Sequence, residues 1–249
     1  MYLSQEQVRF FRHCGFFQLS EAIPLHLVER MREVIETQAE AGVGPLRRNE
    51  ASCVTRLDNI IDRDPVFMQV FTSDALLQPL KSLLGPNIEL VLNRHNHATF
   101  NRSGEASTRL HRDVLQWSRA VVTVIVYLDT STVETGCTRV VPGSQFLPYV
   151  GTPNNGGTWM DEHSVFADLI NQAVPIPMPK GGMLLLDSLV FHTASPNCTT
   201  STRLSVCCAY HSVDELSGVA TDPKKLLVCG ERLYRGNDSN LEYTKRNQI

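Results

Sequence analysis

The period of the hydrophobic pattern changes once along this chain, near Ile88, and that change limits the possible folds more than any other feature. Before it, apolar residues recur every three or four positions; after it, short apolar runs alternate with turn residues. Ser4, followed by Glu6 and Gln7, predicts a capped helix to about residue 13, ended by Gly15. Leu25, Val28, Met31 and Ile35, widened by Leu27 and Val34, predict a second helix over 24–41, stopped by Gly42 and Gly44. Leu76, Leu77, Leu80 and Leu83 predict a third over 73–84, with Gly85-Pro86 as its stop and Pro79 counting against it. Residues 43–64 are polar and arginine-rich, with no clear period.

Strands are expected over 88–94, 97–100, 108–111, 120–129, 138–141, 182–186, 190–193 and 203–211. Turns at Ser103-Gly104, Thr135-Gly136, Pro142-Gly143, Gly181-Gly182 and Ser195-Pro196-Asn197 separate them. Helices followed by many short strands predict an α+β, mainly β chain within one domain. A helical part (about 1–87) covers one face of a sandwich or barrel (about 88–212), followed by a tail (213–249). Residues 153–158 read as a mobile loop, and the polar stretch after Gly230 as loosely held.

The net charge of -3 gives no general attraction to nucleic acid or an anionic membrane, so neither is expected as a partner. No apolar run reaches the roughly 18 to 20 residues that span a bilayer, and the polar start is unlike a signal peptide. Seven cysteines without a C-x-x-C pair predict free thiols in a reducing compartment. The expectation is a cytoplasmic protein acting on a small molecule, of undetermined oligomeric state.

His111-Arg112-Asp113 sets an imidazole and a carboxylate at i and i+2, on one face of an extended segment, where both can reach one metal ion. With one further histidine this is the facial triad of non-haem Fe(II) oxygenases, which leaves positions open for co-substrate and oxygen. His-x-Asp alone is weak, since a chain of this composition produces it by chance. His192, at the end of the apolar run beginning at Gly182, is the candidate third ligand; its bland alternative is a hydrogen-bonded core histidine. The turn at Ser195-Pro196-Asn197 and the run from Arg203 to Tyr210 predict a hairpin that returns Arg203 beside the strand of His192. A guanidinium there can clamp a carboxylate through two parallel hydrogen bonds; the alternative is a surface residue at a strand edge.

Together, His111-x-Asp113, Gly136-Cys-Thr-Arg-Val-Val-Pro-Gly-Ser144, Gly181-Gly182, His192-Thr-Ala-Ser-Pro-Asn197 and Arg203 resemble the phytanoyl-CoA dioxygenase family. The eleven-residue step from His192 to Arg203 matches the family's step from distal iron ligand to 2-oxoglutarate arginine. Residues 76–92 and 4–17 are similar to its helix and first core strand and to its N-terminal helix, so the resemblance spans about 3–212. The position after Pro142-Gly143-Ser144, commonly histidine in the family, is Gln145 here, which leaves the family's substrate contacts without a counterpart. The resemblance implies a double-stranded β-helix, or jelly-roll barrel, with Fe(II) held by the catalytic set His111, Asp113 and His192. It further implies 2-oxoglutarate as co-substrate on Arg203, and O2-driven oxidation of a substrate C–H bond, usually hydroxylation, with release of succinate and CO2.

Further candidates follow. Thr123, Thr108 and Asn93 are candidate co-substrate contacts, and Trp117 a pocket wall or ordinary core. Asn93, His95 and His97 alternate along one expected strand and would share a face, His95 and His97 as substrate contacts or as solvated polar residues. A metal pair His95-x-His97 is set aside because no third ligand follows at a plausible spacing. Arg47, Arg48 and Arg56 read as a solvated loop, with an anionic substrate group as the alternative. The leading reading is a small-molecule oxygenase of secondary metabolism. An acyl-CoA hydroxylase is its runner-up, against which the lack of a lysine- or arginine-dense segment counts mildly. A halogenase would lack the carboxylate of Asp113, and a non-catalytic binding barrel would lack a ligand or the arginine. Desaturation, epimerisation and ring formation use the same residues as hydroxylation.

Overall fold

The computed structural model describes residues 1–19, 23–93, 95–104, 109–114, 121–147, 168–213 and 224–232. Helix α1 (Gln5–Cys14) starts in a reciprocal capping box, in which Ser4 Oγ accepts from the Gln7 N–H and Gln7 Oε1 accepts from the Ser4 N–H. Helix α2 (Leu25–Glu40) buries Val28, Met31, Val34 and Ile35, the face expected from their spacing. Helix α4 (Asp74–Leu84) runs through Pro79, whose ring is buried among the leucines of the same face. Helix α3 (Pro65–Phe71) was not expected, although Asp64 caps it by accepting from the Val66 N–H at 2.9 Å and Pro65 occupies its first turn.

The strands are β1 (Phe16–Leu19), β2 (Leu46–Arg48), β3 (Val54–Asp58), β4 (Ile88–Val91), β5 (His97–Asn101), β6 (Val121–Tyr127), β7 (Thr138–Val140), β8 (Val174–Ile176), β9 (Met183–Asp187), β10 (His192–Ala194), β11 (Arg203–Ser212) and β12 (Lys225–Cys229). The larger sheet is antiparallel, in the order β1-β9-β6-β11-β5-β3-β2, with β4 beside the C-terminal half of β11 and β12 outside β4. The smaller sheet, β10-β7-β8, faces it, and the fold is a cupin-like jelly roll. On β6 and β11 the residues alternate between two environments. Val122, Val124, Val126, Leu204, Val206, Cys208 and Tyr210 pack with the helices in the main core. Thr123, Ile125, Arg203, Ser205 and Cys207 point the other way, into the space between the sheets. Each large apolar side chain buried on the helical side contributes roughly 1.5–3 kcal/mol, so stability is concentrated there and the inner face is left free for polar groups.

The structure corrects several expectations. Residues 43–64 are not irregular: β2 and β3 form a hairpin that extends the larger sheet through β5. The strand expected over 88–94 ends at Val91; Leu92 and Asn93 form a turn, and His95 follows with a left-handed φ of 49°. No strand covers residues 109–111, where His111 makes a single bridge. Part of the tail is held: β12 pairs with β4, and Arg232 Nε donates to the buried Glu89 at 2.6 Å. Residues 153–158 lie outside the described residues. Among the described residues no helix is long and apolar enough to cross a membrane.

The turn before β7 depends on Gly136. Its φ is 77°, and a Cβ there would run into the Ser195 carbonyl and the Asn101 amide, which itself donates to Gly136 O and Ser195 O. Gly136→Ala is expected to destabilise the protein by about 1–3 kcal/mol, read from the urea midpoint at unchanged m-value.

Candidate metal and anion site

Between the sheets lies a cavity of about 430 Å³. Its metal-binding potential is set by the segment 111–113. His111 and His192 exchange both backbone hydrogen bonds, each at 3.0 Å, so the segment is fastened to β10 although it belongs to no strand. Arg112 turns away from the cavity: its guanidinium donates to Ser144 O and Leu147 O and lies 4.3 Å over the Phe191 ring. His111 and Asp113, on either side of it, therefore share the opposite face, as alternation requires.

The ligand atoms of His111, Asp113 and His192 lie within 4.8 Å of one another. Asp113 Oδ1 is 3.7 Å from His111 Nε2 and 3.6 Å from His192 Nε2. The other ring nitrogens are engaged, His111 Nδ1 with Arg109 O at 2.8 Å and His192 Nδ1 with Val190 O at 3.1 Å. Donation from Nδ1 to a carbonyl selects the tautomer whose Nε2 lone pair is available to a metal. Burial, followed by the charge of His192, pushes His111 down to about 4, which keeps the ring neutral. Burial opposes the charge of Asp113, but His95, His192, His111 and the Thr123 hydroxyl outweigh it and hold the carboxyl well below its usual range. The Asp113 N–H donates to Ser188 O at 2.9 Å, and Thr123 Oγ1 donates to Asp113 Oδ2 at 2.6 Å. Thr123, which also lines the cavity, orients this carboxylate and leaves Oδ1 on the cavity side.

Arg203 also lines the cavity and is only 4% exposed. It is not alongside the strand of His192: β11 lies in the larger sheet and β10 in the smaller, so the two residues meet across the cavity. The chain after His192 crosses between sheets rather than folding back as a hairpin. Arg203 donates to Thr135 O at 3.3 Å and Ser205 Oγ at 3.4 Å and lies 5.7 Å over the Tyr127 ring. Burial lowers its pKa, yet among the described residues no carboxylate pairs with it. A buried guanidinium with only long, neutral partners is a place for an anion.

His95 and His97 both line the cavity, but not as neighbours on one strand. The turn at 92–93 and the left-handed His95 bring the His95 Nε2 to 3.3 Å from Asp113 Oδ1. Asn93 is exposed in that turn and is not among the residues that line the cavity. Burial, then Arg56 and His95, push His97 far below its usual range. Cys207 Sγ lies 3.2 Å from His97 Nε2, so the His95–His97 pair does have a third potential ligand, from β11. Cys207 was missed, although its two-residue spacing from Ser205 and Arg203 put it on the same face. Arg47 and Arg56 line the cavity too, Arg56 partly buried and Arg47 still largely exposed to solvent. Thr108 and Trp117 lie outside the described residues.

A jelly roll with two imidazoles and a carboxylate converging on one point, opposite a buried arginine, defines a class of candidate metal-dependent proteins. More narrowly, the model of the phytanoyl-CoA dioxygenase (PhyH) family matches residues 12–205, and the chain belongs to that family. It is 30% identical over 186 residues to dioxygenase af480 of Aspergillus fumigatus, covering 67% of this chain and 55% of that protein. This chain thus spans little more than half the length of that relative. Its fold is similar to the epimerase SnoN in complex with Fe3+, alpha ketoglutarate and nogalamycin RO (TM-score 0.71, 18% identity, 92% of this chain and 96% of that one). EctD from S. alaskensis with 2-oxoglutarate and 5-hydroxyectoine is similar to the same degree (0.71, 18%, 85% and 77%). The carbocyclase SnoK from nogalamycin biosynthesis is also similar (0.66, 19%, 86% of each chain). At these identities the structural likeness speaks for the fold.

Thr123→Val removes the donor to Asp113 Oδ2 without changing side-chain volume much. It is expected to weaken divalent-metal binding about 10- to 100-fold, measured by anaerobic titration with Co(II), with the melting temperature as the control for folding.

Proposed function

We propose that this chain is an Fe(II)- and 2-oxoglutarate-dependent oxygenase that oxidises a C–H bond of a small molecule, releasing succinate and CO2. The observation that carries the reading is the convergence on one cavity of His111, Asp113, His192 and Arg203, which pairs with no carboxylate among the described residues. The donor set fits ferrous iron, because two neutral imidazoles and a charged carboxylate are the donors of the facial triad and leave open positions. Bound there, iron supplies the activation of O2 and the oxidising power.

The chain's own residues provide position and charge. His111 and His192 would present Nε2, held in that tautomer by their Nδ1 contacts to backbone carbonyls. Asp113 would present Oδ1 while Thr123 occupies Oδ2. Arg203 would pair with the distal carboxylate of 2-oxoglutarate, with Ser205 beside its guanidinium. The two sheets flank the site on opposite sides. Iron and 2-oxoglutarate in solved relatives of this fold, and natural-product chemistry in SnoK and SnoN, support a role in secondary metabolism. No observation favours an acyl-CoA substrate beyond the family's name, and a purely binding barrel has no need of the complete set.

Anaerobic addition of Fe(II) and 2-oxoglutarate is expected to give the weak visible charge-transfer band of the chelate. His111→Ala should abolish it. Arg203→Ala should raise the 2-oxoglutarate Kd by about 30-fold or more, the loss of roughly 2 kcal/mol or more when a buried charge pair is cut. Absence of the band in the native protein, with iron held no better than by His111→Ala, would overturn the reading.

A further inference from the structure

Arg47 on β2 and Arg56 on β3 are direct cross-strand partners. Both side chains line the cavity, whereas Arg48 turns to the other face and lines a separate groove beside Glu36 and Glu40. Like charges placed directly opposite on a hairpin destabilise it, and among the described residues one carboxylate relieves this pair. Asp58 accepts from Arg56 Nε at 2.6 Å and lies 3.5 Å from Arg47 Nε. The terminal η nitrogens of both guanidiniums have no partner among the described residues. Arg56 is 31% exposed and Arg47 65%, against 4% for Arg203, so the pair stands at the wetter side of the cavity. Through register, Arg56 lies opposite Thr99, and Thr99 opposite Ser205, which puts Arg56 two strands and Arg47 three strands away from β11 and Arg203.

A count of charge points the same way. Arg47, Arg56 and Arg203 are three cations on the cavity wall; Asp113 and the supporting Asp58 are two anions. On the reading proposed above, ferrous iron and dianionic 2-oxoglutarate cancel, and one positive charge is left over beside the space that remains for substrate.

We infer that the substrate is a small carboxylic acid whose carboxylate is clamped by the η nitrogens of Arg56 and Arg47, separate from the co-substrate anchor at Arg203. Two guanidiniums held side by side by Asp58 offer several N–H donors to one oxyanion, and the hydroxyl of Thr99 stands next to them. The clamp fixes one end of the substrate and so selects which carbon lies near Asp113. This inference rests on the oxygenase reading for the role of the site, while the anion clamp itself is a binding property of the chain.

The test is calorimetric titration of the anaerobic Fe(II)- and 2-oxoglutarate-loaded protein with benzoate and with benzamide, which differ in charge but hardly in shape. Benzoate is expected to bind about tenfold or more tightly than benzamide, and Arg56→Gln and Arg47→Gln each to remove most of that preference. Both variants should keep the 2-oxoglutarate charge-transfer band. Arg47 is largely exposed, so its variant is a probe that does not threaten folding. Equal binding of benzoate and benzamide, no binding of either, or an undiminished preference in both variants would overturn the clamp. So would loss of the chelate band in Arg56→Gln with its retention in Arg203→Ala, because Arg56 would then be the co-substrate anchor. If the native protein shows no band, the oxygenase reading fails, and the benzoate preference of the metal-free protein still decides the clamp.

Discussion

The reciprocal pair of backbone hydrogen bonds between His111 and His192 is the constraint on which the site depends. The segment 109–114 has no sheet of its own to hold it. By pairing with β10 at one residue, and by giving the Asp113 N–H to Ser188 O, it becomes a rigid extension of the jelly roll. Arg112, packed over Phe191 and bonded to Ser144 and Leu147, pins the opposite face of the same segment. Two ligand-bearing side chains are thereby aimed at a third across a few ångströms without a continuous strand.

The larger sheet is used asymmetrically. Its outer face carries the valines, leucines and aromatics that bury against α1–α4, and it contributes most of the hydrophobic stabilisation. Its inner face can then hold groups that would be costly alone: a buried arginine with no carboxylate partner among the described residues, and two arginines opposed across a hairpin. Such unpaired or like-charged groups persist only where the surrounding structure holds them. Here they all border the same cavity.

Much of this was legible in the sequence. The apolar runs of β6 and β11 bounded by turn residues, the helical spacing of 24–41 and the cap at Ser4 are local signals, because each reports how one element presents itself to a core. His111-x-Asp113 and the step from His192 to Arg203 carried the site for the same reason: i, i+2 spacing and a known separation are one-dimensional. Asp64-Pro65 was an equally local sign of α3 that went unread. The β2–β3 hairpin was not legible, since its arginines and polar residues have no period and gain their place only by pairing with β5.

What the sequence determined alone was therefore the main helices, the core strands after Ile88 and the identity of the chemical groups: two imidazoles, one carboxylate and one arginine in order along the chain. Tertiary structure decided which groups share a space. His95 reaches Asp113 because a left-handed residue follows a turn, Cys207 reaches His97 because β11 pairs with β5, and Arg203 faces His192 from the opposite sheet. Arg56, and the still largely exposed Arg47 beside it, reach the cavity wall by the same route. Contacts of this kind join residues far apart in the chain, and they are fixed by strand register and sheet stacking, which no local period encodes.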